Sequence, residues 1–141
     1  MPAISNITFA AAEPVRLAEF WAAVLGYEPL EVPEEVQRAV DADIEAGKLE
    51  AGAWAMLVPP DGVGPRLLFQ RRPKTRTESI PIHLDIRIDD RETEIERLTS
   101  LGATFVETRG QTIGEFSETW SVLRDPEGNG FCINDGGFTA T

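Results

Sequence analysis

One cysteine, one histidine, one tyrosine and two lysines occur in a chain of 141 residues, and the first two scarcities each close off a class of protein. The single thiol, Cys132, cannot form an intramolecular disulfide, so the fold holds without covalent cross-links, as suits a reducing compartment. The lone histidine, His83, excludes within one chain the two-histidine, one-carboxylate iron centre of non-haem oxygenases. Basic residues are outnumbered 13 to 24, giving a net charge of −11 and a pI near 4.5, which removes the electrostatic footprint of a nucleic-acid binder. Such a field favours small cationic partners. No apolar run approaches the ~18 residues needed to span a bilayer. Residues 1–5 carry no basic segment leading into an apolar one, so a cytoplasmic location without a membrane partner is expected. Nucleophile elbows, phosphate-cradling Gly-Lys-Ser/Thr loops, Gly-x-Gly-x-x-Gly and Cys-x-x-Cys are all missing.

What is present suffices for one domain over residues 1–141. Hydrophobic residues make up 42% and charged residues 26%, and a chain near ~150 residues can bury roughly 68–70% of its unfolded surface. Self-similarity then shows two halves on one plan. Each opens with a β run, 4–10 and 80–88, followed by acids suited to a helix start: Glu13 before Pro14, and Asp89 with Asp90. In the first helix Val15, Leu17, Phe20, Trp21, Val24 and Leu25 recur at spacings of three and four; in the second, Ile95, Leu98 and Leu101 do. Both helices end in Leu-Gly, with Gly26 and Gly102 placed as left-handed caps. Matching strands follow at 27–31 and 103–107. Each half then adds two strands around a tight turn: 52–58 and 66–71 around Pro59-Pro60-Asp61-Gly62, and 117–124 and 130–134 around Asp125-Pro126-Glu127-Gly128-Asn129. Trp54 and Trp120 stand six residues before Pro60 and Pro126, and are therefore equivalent. In the closing strands Phe69-Gln70 corresponds to Phe131-Cys132.

The expected class is α+β, β-α-β-β-β twice, with module one at 4–72 and module two at 80–135. Residues 33–50 have no counterpart and predict an acidic helical insertion, with eight acidic against two basic residues across 28–50 and Val36, Val40 and Ile44 on a buried stripe. It reads as a solvated helix covering a sheet edge, or as a lid over a ligand. Residues 71–77 form a basic linker, 110–114 a flexible loop, and 136–141 a frayed end.

The segments Phe20-Trp21-Ala22-Ala23-Val24-Leu25-Gly26-Tyr27, Gly64-Pro65-Arg66-Leu67-Leu68-Phe69-Gln70, His83-Leu84-Asp85 and Asp125-Pro126-Glu127-Gly128-Asn129-Gly130-Phe131-Cys132 together resemble the glyoxalase/bleomycin-resistance/dioxygenase, or vicinal oxygen chelate, superfamily over roughly residues 4–135. The resemblance implies two curled mixed sheets around a cleft and a homodimer. It also implies, in the catalytic members, a divalent metal held by side chains of the first and last strands of each module. Mapped here, those positions are Asn6, Gln70, His83 and Cys132. Cysteine stands where a glutamate is expected, and two carboxamides bring no charge to a dication. No cofactor is therefore expected, and metal binding is the departure from that expectation.

Two roles stay open for His83: a hydrogen-bonded structural residue, or a ligand contact or general base. Cys132, between Phe131 and Ile133, reads as an inert small hydrophobe. Phe20 and Trp21 belong to the core. Trp54, Met56 and Val58 share one strand face, as do Trp120 and Val122; these faces either flank a cleft or pack under the helices. The functional expectation is metal-independent binding of a small aromatic or cationic molecule by Trp54, Trp120, Phe69, Gln70 and His83, resembling bleomycin-resistance proteins. The alternative is a glyoxalase-like lyase or isomerase using a divalent metal or His83 as base.

Overall fold

Helix α1 (Pro14–Leu25) forms where proline at the first helical position needs no amide partner, and it ends at Gly26, whose φ of 69° lets its N–H reach the Ala22 carbonyl at 2.9 Å. Its inner face buries Leu17, Ala18, Phe20 and Trp21, whereas Val15 stays 48% exposed. In the computed structural model, which describes residues 4, 6–71, 83–113, 116–136 and 139–140, the chain divides into two units, Met1–Thr75 and Arg76–Thr141. The basic linker beyond Arg71, the first residues of the strand predicted at 80–88, Gly114 and the last residue lie outside the described residues.

In the first unit, β1 (Asn6–Ala11), β2 (Glu28–Pro29), β3 (Trp54–Val58) and β4 (Arg66–Arg71) form a curled mixed sheet ordered β1-β4-β3-β2. The first strand pairs with the last in parallel, and the other pairs are antiparallel. The register places Phe69 between Phe9 and Ala55, on the face toward α1. Phe69 is fully buried, its ring 4.9 Å from that of Phe9, which is 5.6 Å from Trp21. This corrects one expectation: Phe69 belongs to the core and does not line a ligand surface. Leu57 and Leu67 complete that layer.

The second unit repeats the plan with β5 (Leu84–Arg87), α3 (Arg91–Ser100), β6 (Thr104–Ile113), β7 (Phe116–Arg124) and β8 (Gly130–Asn134), ordered β5-β8-β7-β6, again with first and last strands parallel. Asp90 caps α3, its carboxylate accepting from the Glu92 and Thr93 amides at 3.1 and 3.4 Å. Leu98, Leu123, Phe131 and Ile133 are buried together with Ser121, whose hydroxyl bonds Thr108 Oγ1 at 2.9 Å and receives Arg91 Nη1 at 3.2 Å. The β7–β8 turn is built on buried Asp125, which accepts from the amides of Glu127 and Asn129 and from Asn129 Nδ2.

Other expectations give way to pairing. The strand predicted at 27–31 shrinks to two residues, since Pro29 has no amide to donate and the chain then leaves toward α2 (Glu34–Glu45). Residues 110–113 are not a loop: β6 continues through them, matched residue by residue to β7. The end is not wholly frayed, because β9 (Thr139–Ala140) pairs with β7. Helix α2 exists as predicted, but its stripe is not buried: Val36 is 49% exposed, and none of its residues is buried. It is a solvated helix, held by Gln37–Asp41 and Glu34–Arg38 contacts at 2.9 and 3.1 Å.

Replacing Phe69 with alanine is expected to cost about 3–5 kcal/mol in urea unfolding, the usual range for emptying an aromatic core site. Trp54→Ala, on the opposite face, should cost clearly less; equal losses would contradict the assignment of faces.

Candidate functional site on the uncovered sheet faces

Side chains alternate along a strand, so each sheet has one face under its helix and one that the helix does not cover. Trp54 is three residues from buried Leu57 and Trp120 three from buried Leu123, which puts both tryptophans on the uncovered faces. Trp54 is 37% exposed and lies opposite Gln70, itself opposite Ala10. Trp120 is half-buried and lies opposite Asn134. Hydrogen-bond register thus matches the Trp54–Gln70 pair to Trp120–Asn134, and Met56–Leu68 to Val122–Cys132. The correspondence of Gln70 with Cys132, counted along the sequence, is therefore two residues out of step. Two fewer residues separate the paired strand ends across the second turn.

Asn6 is drawn into a different task, accepting a hydrogen bond from Arg66 Nε at 3.0 Å. In the second unit the register sets Arg109, Trp120, Asn134 and Arg87 in one continuous row across β6, β7, β8 and β5. The adjacent row holds Glu107, Val122, Cys132 and Asp85. Arg109 donates to Glu107 at 2.7 Å from Nε. The open depression beside α1, bordered by Glu13, Arg16 and Arg71, contains none of the sequence-predicted residues. There Arg71 is tied to Glu50 at 2.8 Å and to the Ala12 and Gly52 carbonyls.

His83 stands at the start of β5 with Nε2 3.5 Å from Asp85 Oδ1. Cys132, 8% exposed, lies beside Asp85 in the parallel pairing. Burial pushes the Cys132 thiol up from its ordinary value, the Asp85 charge and its hydrogen bond with the thiol push it further, and Arg109 opposes them. The thiol is thus protonated at neutral pH, as an inert residue would be. Among the described residues, one group of three His, Cys, Asp or Glu donors lies close enough to hold a metal: His83, Asp85 and Cys132, all within 4.8 Å of one another. The sequence reading had missed Asp85 as a donor and Arg109 as a neighbour. The His83-x-Asp85 alternation on one strand was the available signal for the first; the second required extending β6 past residue 107.

Ligand atoms on tetrahedral zinc are roughly 3.3–3.7 Å apart, given bonds of about 2.0–2.3 Å. The three donors therefore fit a zinc-type ion with about 1 Å of closure, and imidazole, carboxylate and thiolate are all zinc ligands. Asp85 adds a carboxylate that the set Asn6, Gln70, His83 and Cys132 lacks. When bound, such an ion supplies Lewis-acid polarisation of substrate oxygens.

Two successive βαβββ modules define the vicinal oxygen chelate class, which hosts both enzymes and binding proteins. A model of the glyoxalase-like domain matches residues 6–134, and the chain belongs to that family. No curated protein sequence matches the chain. Similar solved structures include a glyoxalase/bleomycin resistance protein/dioxygenase family enzyme from Burkholderia phytofirmans PsJN, with a TM-score of 0.64, 16% identity, and coverage of 94% of this chain and 98% of that one. A fosfomycin resistance protein from Mesorhizobium loti has a TM-score of 0.63 at 15% identity, covering 96% and 93%. A mutant of the fosfomycin resistance protein from Listeria monocytogenes, complexed with Mn(II) and 1S,2S-dihydroxypropylphosphonic acid, has 0.65 at 12%, again covering 96% and 93%. At these identities the likeness is one of fold. No helix among the described residues is long and apolar enough to cross a membrane.

Asp85→Asn removes the charge that opposes thiolate formation, so the pH profile of Cys132 alkylation should shift to lower pH and the rate at a fixed neutral pH should rise. An unchanged profile would show that Asp85 does not act on the thiol.

Proposed function

We propose that this chain binds a small aromatic molecule non-covalently on the uncovered sheet face of the second module, through Trp120 and His83, with Trp54 and Gln70 offering the corresponding pair on the first module's own uncovered face. The observation that carries this reading is the Arg109–Trp120–Asn134–Arg87 row: a half-buried indole with a guanidinium on one side and an amide and a second guanidinium on the other. Indole offers a stacking surface, Asn134 a donor and acceptor, and Arg87 a planar donor fork for oxygen, whereas Arg109 is already held by Glu107. The net charge of −11 favoured a cation. The row favours instead an aromatic compound bearing a carboxylate or comparable oxygen, because Arg87 projects an exposed guanidinium with no ion pair among the described residues. Binding by these groups requires neither a metal nor a covalent step. The similarity to fosfomycin resistance proteins supports a role in handling small molecules.

A second reading, a glyoxalase-like lyase or isomerase, is favoured by one observation: the His83–Asp85–Cys132 donor group beside the same row. In it, exposed His83, oriented by Asp85, takes a proton next to a substrate carbonyl.

Tryptophan fluorescence of chelator-treated protein, titrated with aromatic carboxylates and matched aromatic amines, separates the readings. Saturable changes are expected for carboxylates, with the ligand recovered unaltered. Trp120→Ala should weaken binding roughly three- to tenfold, matching the ~0.5–1.5 kcal/mol of an aromatic contact. Arg87→Gln should erase the preference for carboxylates. Silence across the panel would contradict the binding reading, and a chemically altered ligand would favour the enzyme.

A further inference from the structure

The donor group His83, Asp85 and Cys132 has a property that the family resemblance does not lead one to expect: all three atoms come from adjacent strands of one module. The resemblance places metal ligands in both modules, at Asn6, Gln70, His83 and Cys132. Asn6 is already bound to Arg66, and Gln70 faces Trp54 in the first unit. By contrast, the parallel β5–β8 register sets Asp85 directly beside Cys132, and strand alternation returns His83 to the same face two residues earlier.

We propose that His83, Asp85 and Cys132 form a mononuclear zinc site housed wholly in the second module, with a thiolate where the family pattern has a carboxylate. The imidazole nitrogen and the carboxylate are already 3.5 Å apart, the spacing two ligands of one zinc ion require. Both are exposed, so the ion has an entry path, while the sulfur lies at the buried end of the group. Binding exchanges the Cys132 S–H bond for a sulfur–zinc bond and releases the proton to solvent, with no change of oxidation state. The dication is then balanced by one thiolate and one carboxylate, with a neutral imidazole as third ligand and a fourth position left to water. Thiolate and imidazole select zinc over magnesium or calcium, which prefer all-oxygen shells. This site goes beyond the binding function proposed above, which needs no ion.

The test uses the full chain, stripped with chelator and titrated with Co(II) as a spectroscopic substitute for zinc. The expected result is one equivalent bound, with thiolate-to-cobalt charge-transfer absorption, intense visible bands of a tetrahedral ion, and displacement of both by one equivalent of Zn(II). Cys132→Ser should abolish the charge-transfer band. Asp85→Asn, at an exposed position and checked by circular dichroism for an unchanged fold, should weaken zinc binding by at least the roughly tenfold that losing even an outer partner costs. His83→Ala should do the same. Absence of the charge-transfer band in the unaltered chain, or undiminished zinc affinity in Asp85→Asn, would overturn the proposal. Because the ligand titration runs on chelator-treated protein, either result can fail without the other.

Discussion

Parallel pairing of the first and last strands of each module is the constraint on which the rest depends. Strands β1 and β4, and β5 and β8, run the same way, so no tight hairpin can join the two members of either pair; the chain must cross over, and in each module a helix makes the crossover. That helix has to cover one face of its sheet. Leu17, Phe20 and Trp21 do so in the first unit and Leu98 in the second, over Phe69 and Leu67 or Phe131 and Ile133. The opposite face is left without a helix from its own module, and the strand period of two then decides which side chains it presents.

Chemistry follows from that partition. Gln70 and Phe69 are neighbours in sequence, yet one faces the uncovered surface and the other fills the core. Phe131, Cys132 and Ile133 divide the same way: the two apolar residues are fully buried on the core face, and the thiol meets Asp85 and His83. A four-strand row of arginine, tryptophan, asparagine and arginine requires each strand to hold its register, and the β6 irregularity between Phe105 and Glu107 is what brings Arg109 opposite Trp120. The row through Trp120 and the row through Asp85 and Cys132 thus lie side by side on one face of the second sheet.

Most of the architecture was legible in the sequence because local signals agreed with one another. The Leu-Gly helix ends, the Asp90 cap and the two proline-containing turns each mark a boundary through backbone chemistry that acts over a few residues. The features that were not legible depended on pairing between distant segments. Residues 110–113 contain a glycine and polar residues and look like a loop, and only β7 makes them a strand. The stripe Val36, Val40 and Ile44 has helical spacing, but spacing alone cannot supply a surface to pack against. At the candidate site, neither the grouping of Asp85 with His83 and Cys132 nor the burial of Phe69 is legible in the sequence. That burial is set by register with Phe9 and Ala55, which no local pattern encodes.

The central claim is that each sheet keeps its core under its own helix and its recognition groups on the other face. Stern–Volmer quenching by acrylamide, on chains retaining one tryptophan at a time with phenylalanine at the other two, tests it most directly. Efficient quenching of Trp54 and Trp120 with strong shielding of Trp21 is the predicted result. Shielding of Trp120 equal to that of Trp21, in a chain whose circular dichroism is unchanged, would contradict the account.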